Sequence, residues 1–207
     1  MKKIIKKQIS KKAKIILVAV AAVVLCVAAV LSIVLIKSSA HPIDQFANKI
    51  LKKQNFEMKT ILSGDPTLGI FEQVYEVDGN VHHICSSDLT TESYIKIVGD
   101  TKYVYKQTNG GKWIWEKSDA SSPDGLIDWD MIEQLLDADN YELVEGEENT
   151  YRQKDTVVFE QFQNVKIIID GDVLAIEMQT LSDGTLWQTL IVFSKIGEVK
   201  LQLPAIG

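Results

Sequence analysis

The chain has 207 residues, 46% of them apolar and 24% charged, a size that suits one ordinary domain plus an additional segment, and its two cysteines exclude a disulfide-built scaffold. Its net charge of −6 is unevenly spread: eight of the 22 basic residues fall in residues 1–37, which hold no acid, so the remainder carries 14 basic against 28 acidic residues and a net −14. Such an acidic body repels phosphate backbones, which excludes nucleic acid as a partner.

Residues 15–36, IILVAVAAVVLCVAAVLSIVLI, run for 22 positions without a charge. As a helix they would span about 33 Å, enough to cross a bilayer. Seven lysines precede them (Lys2, Lys3, Lys6, Lys7, Lys11, Lys12 and Lys14), which places the N-terminus in the cytoplasm and everything beyond Lys37 outside the cell. The organisation expected is therefore a cytoplasmic segment at 1–14, a transmembrane signal anchor at 15–36, a linker at 37–42 and an extracytoplasmic domain at 43–207. The apolar run exceeds the roughly 7 to 15 residues of a cleaved signal, so an uncleaved anchor is expected despite the small residues Ser38-Ser39-Ala40. Leu25 before Cys26 does not suit a lipidation site. With Cys26 in the membrane, Cys85 has no partner for a disulfide in the outer domain.

After Pro42, the residues Ile43, Phe46, Ala47, Ile50 and Leu51 form the stripe of an amphipathic helix close to the bilayer. NFEMKTIL places Phe56, Met58, Thr60 and Leu62 on one face of a strand, and two further strands flank Asp78-Gly79. In TKYVYKQTNGGKWIWEK, a two-residue loop would turn Tyr103 and Tyr105 away from Trp113 and Trp115. A three-residue Asn109-Gly110-Gly111 loop pairs Tyr105 with Trp115 and Gln107 with Trp113, gathering all four aromatics on one face. Leu126, Trp129, Ile132 and Leu136 then recur at helical spacing. Further on, turns at Asp170-Gly171 and Asp183-Gly184 pair Ile167 with Leu174, Met178 with Thr189, Ile176 with Ile191 and Leu174 with Phe193. A turn at Lys195-Ile196-Gly197 would bring Val199 opposite Phe193 and Leu201 opposite Ile191. The fold class that follows is α+β, an antiparallel sheet with helices on one face.

The chain carries no catalytic or phosphate-binding motif, and no cofactor or metal is expected. His82 and His83 are adjacent on a strand and point to opposite faces. The acidic stretch DADNYELVEGEE has Glu142 where a calcium loop requires glycine. The protein is accordingly not expected to be an enzyme.

The membrane-proximal helix, the long meander with its GGKWIWEK hairpin, the inserted helix GLIDWDMIEQLL, YELV and the closing LIVFSKIGEVKLQLP together resemble the lipoprotein-carrier half-barrel superfamily. That group includes the LolA-type carriers and the LppX and LprG type lipoproteins. The resemblance spans residues 43–204 and lies in the order of elements rather than in a diagnostic motif. It implies a strongly curved sheet around a cavity for acyl chains, here in a membrane-anchored form. Two readings of the aromatic face stand side by side. In one, Tyr103, Tyr105, Trp113 and Trp115, with Trp129, Ile176 and Phe193, line a cavity for a membrane lipid or acyl chain. In the other, they are filled core in a non-catalytic envelope domain that binds another protein, of unknown identity.

Overall fold

The computed structural model describes residues 41–64, 69–86, 92–119, 127–182 and 185–207. The candidate membrane segment, Leu126 at the head of its helical stripe and the turn residues Asp183 and Gly184 lie outside the described residues. Residues 41–207 form one compact unit. Among the described residues, no helix is long and apolar enough to cross a membrane.

The first helix, α1 (Pro42–Lys53), starts where the His41 side chain accepts a hydrogen bond from the Ile43 N–H at 3.3 Å and Pro42 supplies a preset φ. It ends at Gln54, which takes the left-handed conformation at φ 45°. The strands are β1 (Asn55–Ser63), β2 (Phe71–Asp78), β3 (Val81–Ser86), β4 (Glu92–Val98), β5 (Thr101–Gln107), β6 (Trp113–Asp119), β7 (Tyr141–Leu143), β8 (Thr150–Gln153), β9 (Phe162–Asp170), β10 (Val173–Ser182) and β11 (Thr185–Ser194). A short helix, α2 (Trp129–Leu135), lies between β6 and β7 and is capped by Asp128, whose carboxylate accepts from the Met131 N–H at 2.9 Å.

All described strands join one open antiparallel sheet of order β6-β5-β4-β3-β2-β1-β11-β10-β9-β8-β7. Its centre is the pairing of the first strand with the last, Met58 opposite Phe193 and Thr60 opposite Ile191. This corrects the expectation for the C-terminus. β1 occupies the edge of β11 that Val199 and Leu201 were expected to fill, and residues after Gly197 are not strand. They are held instead by Asn55, which bonds Val199 twice, at 2.9 and 3.0 Å, and by Asp78, which accepts from the Leu201 N–H at 3.2 Å.

The other registers divide between agreement and a small slip. Tyr105 opposes Trp115 and Gln107 opposes Trp113, as a three-residue loop requires, and Gly111 takes φ 75° there. Met178 opposes Thr189, Ile176 opposes Ile191 and Leu174 opposes Phe193, also as expected. The turn expected at Asp170-Gly171 falls one residue later, because Gly171 (φ 58°) opens the loop and Asp170 pairs with Val173. Ile167 therefore meets Ile176 rather than Leu174. The slip is by two residues on β10, so every side chain keeps its face.

One face is covered. Ile43, Phe46 and Ile50 of α1, with Ile132 and Leu135 of α2 and the adjoining Leu136, pack on Phe56, Met58, Val77, Ile167, Leu174, Ile176, Ile191 and Phe193. Each fully buried side chain of this size contributes roughly 1.5–3 kcal/mol. The Phe56 ring meets Trp129 and Phe193 edge-on at centroid distances of 5.9 and 5.6 Å. The tyrosine of YELV, Tyr141, anchors α2 by donating its hydroxyl to the Leu135 carbonyl at 2.8 Å.

Candidate functional site

Paired residues in a sheet share a face, so the face of every side chain in β1–β6 can be followed strand by strand from the core. Met58 opposes Tyr75, Tyr75 opposes Ile84, Ile84 opposes Ser93, Ser93 opposes Lys106 and Lys106 opposes Ile114. These lie on the covered face. Their chain neighbours form a second row on the open face: Glu57, Glu76, His83, Tyr94, Tyr105 and Trp115.

This parity separates the expected cavity residues into two sets. Tyr103, Tyr105, Trp113 and Trp115 do share one face, but it is the face away from α1 and α2. There Tyr103 meets Trp115 at 5.5 Å, Trp113 meets Tyr94 at 5.5 Å, and Tyr94 stacks on His83 at 4.4 Å. His83 lies between two carboxylates, with Nδ1 2.8 Å from Glu76 and Nε2 3.2 Å from Glu92. Trp129, Ile176 and Phe193 lie on the covered side, where Ile176 and Phe193 are fully buried within the packed core. The seven residues therefore do not wall one space. Strand parity groups the hairpin aromatics on one face as expected, but the face that the helices cover is not readable from the hairpin alone.

A different set of side chains surrounds a cavity of about 250 Å³ on the covered face, between the sheet and the start of α2. Its apolar wall includes Met58, Leu62, Met131, Phe162, Met178 and Ile191, and its polar groups are Thr60, Gln73, Tyr75, Thr180 and Thr189. None of the seven expected residues lines it. The polar groups are partly paired with one another. Tyr75 donates its hydroxyl to the Gln73 side-chain oxygen at 3.0 Å, and the Thr180 and Thr189 hydroxyls lie 3.1 Å apart. Burial pushes the Tyr75 phenol above its ordinary pKa, so it stays a neutral donor. A signal for this site was present in the sequence as Thr60, Gln73, Thr180 and Thr189 interrupting an otherwise apolar face, since uncompensated polar groups are costly in a filled core.

Among the described residues, Asp128, at the cap of α2, is the one charged residue lining the cavity. Beyond it, a wider groove of about 790 Å³ adjoins at Asp128, Met131 and Phe162 and carries the carboxylates of Asp130, Glu133, Asp137 and Glu160. No family model matches the chain, and no curated protein matches its sequence.

Proposed function

We propose that the chain is a membrane-anchored, extracytoplasmic, non-catalytic binding module of the lipoprotein-carrier half-barrel kind. In this reading its sheet curves around the cavity on the covered face, which receives a short acyl chain or the end of a longer one. The observation that carries the reading is the cavity's lining. Three methionines (Met58, Met131 and Met178) give an adaptable apolar wall, and a few neutral hydroxyl and amide groups are available to orient a ligand. Its volume of about 250 Å³ corresponds to roughly eight waters at about 30 Å³ each, just below the usual small-molecule range. Burying about eight methylenes would yield roughly 6 kcal/mol before ordering costs, which limits a chain end to a Kd of tens of micromolar at the tightest and does not support extraction of a whole lipid. Among the described residues the lining holds no basic side chain and the adjoining groove is acidic, so an uncharged head group suits the site better than a carboxylate.

The test uses residues 41–207, which have their own core. Native mass spectrometry of detergent-free protein should show a bound acyl lipid, and a fluorescent monoacylglycerol should bind at tens to hundreds of micromolar. Thr60→Phe, which fills the cavity, should weaken binding by about tenfold or more while leaving the unfolding temperature nearly unchanged. Trp115→Asp should alter neither ligand binding nor folding, since Trp115 stands on the open face. A folded protein that carries no lipid and binds no probe would show the reading to be wrong.

A further inference from the structure

The sheet is open, and its two edges differ. β7 is a three-residue strand, whereas β6 presents seven residues, Trp113–Asp119, in unbroken register with β5 and without a proline or bulge. Among the described residues no strand pairs with the outer side of Trp113–Lys117, and a regular edge of this kind is what sheet proteins normally blunt, because its outward backbone groups template another strand. The orientation of those groups follows from the hairpin. Thr108 N–H donates to the Lys112 carbonyl at 2.8 Å, so by the alternation of an antiparallel ladder Ile114 and Glu116 also bond inward to β5. The N–H and C=O groups of Trp113, Trp115 and Lys117 then point out from the edge. The side chains there are exposed as well, Ile114 by 42% on one face and Trp115 by 47% on the other.

We propose that β6 pairs antiparallel with β6 of a second copy of this chain, about a two-fold axis at Ile114, making one continuous sheet through the dimer. The edge is complementary to itself. A two-fold axis perpendicular to the sheet keeps each face on its own side, so residues of like parity must meet. With the axis at Ile114, Lys112 of each copy meets Glu116 of the other, Trp113 meets Trp115, and Ile114 meets its own counterpart. Opposite charges and aromatic pairs across a strand pair each stabilise it. Moving the axis to Trp115 sets Glu116 against Ile114 and Lys112 against Ser118, and moving it to Glu116 sets that carboxylate against itself. Within one chain Glu116 already lies 3.3 Å from Lys106, so the second lysine would complete a two-lysine clasp on one carboxylate. On the open face, the Tyr94–Trp113 and Tyr103–Trp115 contacts would join into one aromatic band across the axis. None of this depends on the cavity or its ligand.

In the proposed register Ile114 meets its counterpart as a non-hydrogen-bonded pair, where Cα atoms approach to about 4.5 Å, within disulfide range. The experiment uses the full chain in detergent micelles, with Cys26→Ser and Cys85→Ser removing the native thiols. Ile114→Cys should then give a disulfide-linked dimer on mild oxidation. Ser118→Cys, four residues from the axis, should not, since its two copies would stand about 27 Å apart at 3.4 Å per residue. Sedimentation of the unmodified chain should show a dimer. Trp115→Lys, which puts a charge on the edge, should convert it to monomer without changing its circular dichroism. Equal cross-linking at 114 and 118, or none at either, overturns the proposal. So does an unmodified chain that stays monomeric at tens of micromolar, including one that instead captures a foreign extended peptide, and so does a folded Trp115→Lys chain that stays dimeric.

Discussion

His82 and His83 show what adjacent residues gain from standing on opposite faces. His83, on the open face, has a carboxylate on each ring nitrogen and a tyrosine against its plane. His82, on the covered face, is buried, and its Nδ1 has no hydrogen-bond partner among the described residues. Burial lowers its pKa, and a hydrogen bond to the Gly79 backbone only partly opposes this. The unfolded chain therefore binds a proton at this site more readily than the folded protein. The neutral-histidine contribution is fully present above the unfolded pKa, near 6.5, and is lost as pH falls from there through the lower folded value. Wild-type protein should lose thermal stability on going from pH 7.5 to 5, and His82→Leu should flatten part of that slope. Equal slopes in the two proteins would contradict the account. Strand parity predicted that the two histidines diverge, but not which one is buried, because that depends on helices far away in the chain.

At the scale of elements, the sequence was most legible where a turn fixes register. The Asn109-Gly110-Gly111 loop determined the pairing of β5 with β6, because only a three-residue loop lets Tyr105 oppose Trp115. Asp170-Gly171 was less decisive, since Gly171 could serve as either the first or second loop residue, and the structure uses it as the first. The face assignment survived because the resulting slip is even. The function of a face is not written in its own strands: β5 and β6 alternate in the same way whether helices cover the aromatic side or the other. Gly111 tests how firmly the loop is set. A Cβ there would meet no atom within 4 Å, so Gly111→Ala should cost only the backbone preference at φ 75°. That is about 1 kcal/mol, or a fall in melting temperature of roughly 2–4 °C, with ligand binding unaffected. A drop beyond about 8 °C would mean that the loop is packed rather than open.

At the scale of the molecule, the sheet is two meanders, β1–β6 and β7–β11, joined where β1 lies beside β11. Sequence pattern alone misassigns that junction for a physical reason. Reading by turns rewards neighbours in the chain, and Val199–Leu203 alternates like a strand, whereas the strand that takes the place, β1, is far off in the chain, with Glu57 opposite Ser194 at a separation of 137 residues. The C-terminal tail was left to brace the junction from its end. Asn55 bonds the Asp78 carboxylate at 2.8 Å as well as Val199, and it accepts through its backbone from Gly197 N–H at 2.7 Å. Removing residues 198–207 would delete the buried Val199 and the three hydrogen bonds made by Val199 and Leu201, while leaving every strand and the cavity lining in place. At about 0.5–1.5 kcal/mol per bond and about 1.5–3 for the valine, the loss is roughly 3–7 kcal/mol, which corresponds to a fall in melting temperature on the order of 10 °C or more. Calorimetry of the 1–197 chain against the full chain measures it. Binding of the acyl probe below the new transition should be unchanged, because no tail residue reaches the cavity. A melting temperature within about 3 °C of the full chain would show that β1 and β11 hold together without the tail.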